Sequence, residues 1–400
     1  MLGLRLTSFA LICAHCFSYV QLRASFSRAR GRQQLRLAES NDVSSTAGWA
    51  THALLFSSWT DGVAANKDAQ LLLKYSLLTK MLRDKLNNHE EEVKSSVEFS
   101  PCNGPDISAL NNLEIADVLL DQGNSILESN SIINDSFSTW SKGVLKWLLR
   151  TNKSVELKFL YIPTAMYALS PSSSNTPGKQ RQRARADGKK RRDQVMKLLN
   201  EMFTENDDET TKLNICAITL DLDDGSLKQP AGFLNQDSVP KPSVNTKKDA
   251  TYALSGWNPH LIYVEGGNTF WLQYCIEKGN YPQAIIDSCT GKNGAVYCGK
   301  SAGAIVAGNY IETAIWKGWD NPSIVPERES YDQWIGCKGF GFAGNRSFFP
   351  HYSSEWESLV KEKTKLEPMS GTVEVLYEDA VYGVFGDSGK RFVLGSKLIA

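Results

Sequence analysis

An excess of charge is the first thing this chain lacks: Lys+Arg and Asp+Glu total 44 and 44, so the formal net charge is zero. Polyanions and anionic membranes are held through bulk positive charge, so overall charge argues for neither a nucleic-acid nor a lipid partner. Cysteine is sparse as well. The 8 cysteines are scattered without zinc-ligand spacing, and the single C-x-x-C, Cys13 to Cys16, lies in an apolar leader. Beyond that leader no apolar run approaches the length of a membrane span. Histidine is rarer still, with 5 in the chain, so few that a catalytic base can be sought by elimination.

The leader itself has two parts. Arg5 precedes an apolar stretch from Leu6 to Val20, then Arg23, Arg28, Arg30, Arg32 and Arg36 follow with no acid before Glu39. The first part reads as a secretory h-region and the second as a transit segment, which assigns residues 1–40 to targeting. The expected destination is an organelle or the exterior, with a plastid reached through the secretory route as one candidate. Residues 41–400 are long enough for a full core and are expected to form one α/β domain, with insertions near 62–135 and 168–193.

Past the leader the chain alternates. Ala53 to Phe56 is a short apolar run followed by a turn-like stretch to Gly62, and helical spacing runs from Leu71 to Leu86. Trp140, Val144, Leu145, Trp147 and Leu148 form one face of a second helix. Strands are expected at Leu157–Ile162, Ile215–Leu220, Leu261–Val264 and Ala295–Cys298, with helices at Val195–Phe203 and Thr269–Lys278 between them. Strand and helix in alternation predict a doubly wound, mostly parallel α/β sheet whose sites lie at the carboxyl ends of its strands. The basic stretch from Lys179 to Arg192 holds no aromatic residue for base stacking and is expected to be a solvated, partly disordered loop.

One pentapeptide carries chemistry. Gly299-Lys300-Ser301-Ala302-Gly303 reads G-x-S-x-G between a strand and a helix, the context in which a tight turn projects a serine hydroxyl outward. Serine needs a base. His15 lies in the leader, His89 at the charged end of a helix, and His52 and His260 at the amino ends of strands. His351, after the apolar Phe348-Phe349 and Pro350, is left at a carboxyl end, where a base should be. A carboxylate should orient the imidazole. Glu378 and Asp379, between two expected strands at the sheet end, are candidates, with Asp320, Glu327 and Asp332 as rivals. An oxyanion would take the Ala302 N–H and a donor from the turn Gly266-Gly267-Asn268-Thr269. That turn lacks the spacing of a phosphate-binding loop.

Together, Tyr161-Ile162-Pro163-Thr164-Ala165, Val264-Glu265-Gly266-Gly267-Asn268-Thr269-Phe270, Gly299-Lys300-Ser301-Ala302-Gly303-Ala304 and Pro350-His351 resemble peptidase family S51, dipeptidase E in particular, from about residue 53 onward. The resemblance implies a class I glutamine-amidotransferase-like (flavodoxin-like) fold and a Ser-His-Glu triad of Ser301, His351 and Glu378. It also implies Gly267 and Ala302 as oxyanion donors and cleavage of dipeptides with an N-terminal aspartate, with no cofactor and no metal. Asp320 corresponds to a family aspartate with a supporting or substrate-orienting role. With Asn268 and Lys300 it makes up the candidate substrate-binding set. Lys300 departs from the family pattern, and either binds a carboxylate or points to solvent. The expected partner is a small peptide, and a homodimer is compatible. The alternatives are a cyanophycinase-like hydrolase of β-aspartyl-arginine polymers, an esterase whose acid precedes its histidine, and a catalytically silent binding protein of the same fold.

Overall fold

The apolar runs between the helices line up as the centre of a nine-stranded sheet in a computed structural model of the chain. Residues 36–37, 50–99, 119–126, 135–151, 155–204, 213–228, 245–291, 294–366, 372–386 and 390–394 are described, all within the unit Leu35–Ala400. Apart from Arg36 and Leu37, the leader assigned to residues 1–40 lies outside them.

The first strands are β1 (Arg36–Leu37), β2 (His52–Phe56), β3 (Val155–Ile162), β4 (Leu213–Asp221), β5 (Ser226–Lys228), β6 (Leu261–Val264) and β7 (Val296–Lys300). Then come β8 (Arg346–Phe349), β9 (Thr372–Val375), β10 (Val381–Phe385) and β11 (Lys390–Leu394). Their order in the large sheet is β1-β11-β10-β2-β7-β6-β3-β4-β5. The run β2-β7-β6-β3-β4 is parallel throughout. Antiparallel strands finish both sides, β10, β11 and β1 beyond β2, and β5 beyond β4. The fold is therefore α/β with a mixed sheet and a parallel centre. β8 and β9 pair in parallel as a separate two-stranded sheet.

Side chains that alternate across a strand must be covered on both sides when the strand is apolar throughout. On β6, Leu261 and Tyr263 join one buried cluster, while Ile262 and Val264 join the other. Helices α1 (Lys67–Phe99), α2 (Asp135–Thr151) and α3 (Pro177–Thr204) cover the first face through Leu72, Trp140 and Leu199. Helices α4 (Thr246–Thr251), α5 (Thr269–Lys278), α6 (Pro282–Cys289) and α7 (Ala302–Ala307) cover the second, through Ala250, Phe270, Ile285 and Ile305. Each large apolar side chain so buried contributes roughly 1.5–3 kcal/mol, which makes the two covered faces the main source of stability. Two further α-helices are α8 (Thr313–Trp316) and α9 (Glu357–Leu366), and residues 119–126 are helical as well.

Two expectations change. The basic stretch is not a loop: it is the first part of α3. Arginine, lysine, glutamine and alanine are good helix formers, and Pro177 occupies the first turn, where its missing N–H costs nothing. The charges are also met by distant acids, Arg181 by Asp223 at 3.3 Å and Arg191 by Glu265 at 3.2 Å, while buried Arg192 donates to Thr219 Oγ1 at 3.0 Å. The second change is in α1, which runs on to Phe99 through the polar stretch expected to end it. No glycine or proline interrupts Lys67–Phe99, and a run of polar residues does not by itself stop a helix. Within 62–135, the stretch read as an insertion, α1 supplies Leu72, Leu73, Leu77 and Leu78 to the core of a whole sheet face.

Two histidines rejected as bases have structural roles at the amino ends of strands. His52 opens β2, packs against Tyr75 and Phe385, and is held neutral by burial, its pKa lowered to about 3. His260 precedes β6, accepts from Lys158 N–H at 2.9 Å through Nδ1, and lies 3.2 Å from Asp84 through Nε2. The side chain of His89 lies outside the described residues. Among the described residues, no helix is long and apolar enough to cross a membrane.

Candidate active site

Ser301 stands between β7 and α7, at the carboxyl end of a central parallel strand. Its backbone is left-handed, with φ 48° and ψ −108°. The conformation is pinned from both sides: Ser301 N–H donates to Phe56 O at 2.8 Å, and its carbonyl accepts from Ala304 and Ile305 N–H. The turn also needs its flanking glycines for close approach, since a Cβ on Gly303 would fall on Val264 O.

His351 is the second residue after β8, beyond the strand-ending Pro350, and it too has a left-handed backbone, φ 54°. Five described non-glycine residues have positive φ, and two of them are Ser301 and His351. Such conformations persist only where the surroundings over-determine them. His351 Nε2 lies 2.9 Å from Ser301 Oγ, and Nδ1 lies 2.6 Å from Glu378 Oε1. The Glu378 side chain is 56% exposed, so the carboxylate keeps solvent contact while it holds the imidazole.

The link between β9 and β10 that carries Glu378 joins strands of two different sheets, not neighbours in one. What brings its carboxylate to His351 is the pairing of β9 with β8, extended by Leu376 N–H to Phe349 O and Tyr352 N–H to Leu376 O, both at 2.9 Å. Ser57, fully buried just after β2, staples the same loops. Its hydroxyl donates to Leu376 O at 2.9 Å and accepts from His351 N–H at 2.8 Å. Lys317 Nζ donates to Pro350 O at 2.5 Å and His351 O at 2.6 Å. Burial lowers its pKa to about 7, against the pull of Glu378, Glu355 and Asp320.

The turn after β6 lies against the nucleophile. A Cβ on Gly266 would stand 2.9 Å from Ser301 Cβ, and Gly267 holds φ 149°, with Ala165 O where its Cβ would be. Asn268 caps α5 by accepting from Trp271 N–H at 2.9 Å, and its Nδ2 donates to Asn321 O at 3.1 Å. Asp320 Oδ2 accepts from Thr269 N–H at 2.8 Å, tying the following loop to the same helix start. Burial raises the Asp320 pKa, partly offset by the Thr269 hydrogen bonds and by His351.

Lys300 takes a third course. Its Nζ lies 2.6 Å from Glu265 Oε1, so the carboxylate it binds is the chain's own. Glu265, 1% exposed, also accepts from Tyr161 OH at 3.0 Å and from Gly266 N–H at 3.1 Å. Ser57, Glu265, Lys317 and Trp319, whose ring lies 6.1 Å from that of His351, were not singled out in the sequence. Two had a local signal: Ser57 is the first polar residue after an apolar strand, and Glu265 the last before Gly266-Gly267.

One acidic group among the described residues, Asp221, Asp223 and Asp224, is close enough to hold a metal ion. Its charge is already met by Arg181, Arg185 and Lys228, and Tyr167 OH donates to Asp221 at 2.8 Å. The described cysteines are free and buried or half-buried.

A serine, an imidazole and a carboxylate thus lie in line at the carboxyl ends of a parallel α/β sheet, an arrangement in which the imidazole can take the serine's proton. Residues 233–385 match the profile of Peptidase family S51, and over that part the chain belongs to this family. Membership implies hydrolytic activity in general. The matched part includes Gly267, Ser301, Asp320, His351 and Glu378. A solved structure of a protein provisionally named peptidase E, from Listeria monocytogenes EGD-e, aligns at 15% identity over 64% of this chain and 93% of that one. Its TM-score is 0.34, a likeness from which neither activity nor detailed fold transfers. The comparison with curated proteins produced no match.

Proposed function

We propose that this chain is a serine peptidase of short peptides, hydrolysing dipeptides with an N-terminal aspartate through Ser301, His351 and Glu378 on a class I glutamine-amidotransferase-like domain. The observation that carries the reading is the continuous relay from Glu378 Oε1 to His351 Nδ1 at 2.6 Å and from His351 Nε2 to Ser301 Oγ at 2.9 Å. Ser301 Oγ attacks the scissile carbonyl as His351 Nε2 takes its proton, and Glu378 stabilises the imidazolium. The oxyanion is received by the Gly267 and Ala302 N–H groups. The intermediate collapses, the C–N bond breaks, and His351 hands its proton to the leaving amine. Water, deprotonated by the same imidazole, then hydrolyses the acyl-enzyme and frees Ser301. Asp320 and Asn268 shape the substrate side of the turn, while Lys300 supports it from beneath through Glu265. The order Ser301, His351, Glu378 along the chain supports a peptidase of this family over an esterase whose acid precedes its histidine.

The test is a panel of Asp-X, isoaspartyl and control dipeptides and a β-aspartyl-arginine polymer, with Ser301→Ala alongside. The expected result is cleavage of the Asp-X peptides and a loss of about 10⁴-fold or more in Ser301→Ala. Full activity in the variant overturns the proposal, and cleavage of the polymer alone assigns the site to cyanophycinase-like hydrolysis.

A further inference from the structure

Few large apolar side chains lie open to solvent among the described residues: Tyr252, Trp319, Tyr331, Ile335 and Leu366. Scattered singly, such residues need no explanation. Trp319 and Tyr331 are not scattered, because both border Asp320, one by sequence and the other through a hydrogen bond. Tyr331 OH donates to Asp320 O at 2.9 Å, and its ring stands edge-on to Phe270 at 5.9 Å. Trp319 precedes Asp320 and remains 58% exposed, with its ring centroid 6.1 Å from that of His351.

The indole is held in place. Trp356 meets it edge-to-face at 5.5 Å, and the Lys317 ammonium lies 4.0 Å from its centroid. That ammonium is anchored in turn on the carbonyls of Pro350 and His351, so the ring is tied to the backbone of the imidazole itself. A tryptophan ordered by a cation and a second ring, yet more than half open, has already lost the rotamer freedom that binding would otherwise remove. It presents a flat apolar surface beside the reacting imidazole, with contacts to gain and little further ordering to undergo.

Chemistry decides which part of the substrate it meets. His351 Nε2 delivers the proton to the leaving amine, so a group packed against the imidazole flanks the leaving half of the peptide. Resting on the peptidase reading above, we propose that Trp319 is the subsite for the residue on the C-terminal side of the scissile bond and selects aromatic and large aliphatic side chains there.

The test measures kcat and KM for Asp-Phe, Asp-Leu, Asp-Ala and Asp-Gly, and for a series varied at the N-terminal residue, in the wild type, Trp319→Ala and Trp319→Phe. Thermal melting establishes that the variants are folded. The wild type is expected to favour Asp-Phe over Asp-Gly by about tenfold or more, as one aromatic contact is worth. Trp319→Ala should bring that ratio close to one, chiefly through KM, and Trp319→Phe should restore most of it. An unchanged ratio in folded Trp319→Ala overturns the proposal, as does a change confined to the N-terminal series. If the wild type cleaves no dipeptide at all, the peptidase reading falls and this subsite with it.

Discussion

Lys300 and Glu265 form an ion pair of 2.6 Å directly beneath the nucleophile turn, joining the residue before Ser301 to the residue before Gly266. Glu265 is 1% exposed and the Lys300 side chain 17%, with half-exposed Arg191 closing the group. Removing one partner of a buried pair leaves an uncompensated charge, which costs far more than the pair adds. Lys300→Met is expected to lose about 3 kcal/mol in denaturant unfolding, at the low end for such changes because Arg191 still faces Glu265. The double variant Glu265→Gln/Lys300→Met should recover part of that loss. Additive losses would show that the two side chains are not coupled.

Gly266 leaves no room for a side chain, since a Cβ there would stand 2.9 Å from Ser301 Cβ and 3.4 Å from Lys300 O. Gly266→Ala must therefore displace the nucleophile or the turn, and misplacement by even about 1 Å costs on the order of 100-fold in rate. The expected outcome is a folded protein with kcat for Asp-X dipeptides lowered by about that factor. Retention of full kcat would show that the turn yields without moving Ser301.

Lys317 links stability to pH. Its folded pKa of about 7 lies below the ordinary 10.5 because burial disfavours the ammonium. Below pH 7 both folded and unfolded states carry the proton, and the burial penalty is fully present. Between about 7 and 10.5 the unfolded state binds the proton that the folded state has released, so stability rises with pH and then levels off. Urea unfolding of the wild type against Lys317→Met, from about pH 6 to about pH 10, should show the difference moving in favour of the wild type across that window. A flat difference would mean that Lys317 keeps its proton when folded.

The alternation of strands and helices was legible because it rests on local rules. Apolar runs such as Leu261–Val264 predict themselves, and Asn268 marks the start of α5 at Thr269, where the helix begins. Ser301 and His351, which the fold brings within 2.9 Å, stand out in the sequence, one through a five-residue pattern and the other by elimination among five histidines. The basic stretch misled because its counter-charges, Asp223 and Glu265, lie just past the ends of β4 and β6, far along the chain. The fate of Lys300 was hidden for the same reason: Glu265 becomes its neighbour only when β6 and β7 pair.

Sequence alone determined the α/β class, the order of the strands along the chain and the two residues whose chemistry stands out, because periodicity, turn residues and scarcity act over short distances. Which acid meets His351 was left open by the residues themselves and named as Glu378 only through the resemblance to family S51; in the folded chain, packing decides it. Glu378, Asp379 and Asp320 are the same kind of group in a sequence, and what separates them is where the chain is tied. Pairing of β9 with β8 and the Ser57 staple carry Glu378 to Nδ1, while Thr269 N–H engages Asp320. Hydrogen bonds and buried charge pairs form between residues distant in the chain, and only the folded packing sets their distances.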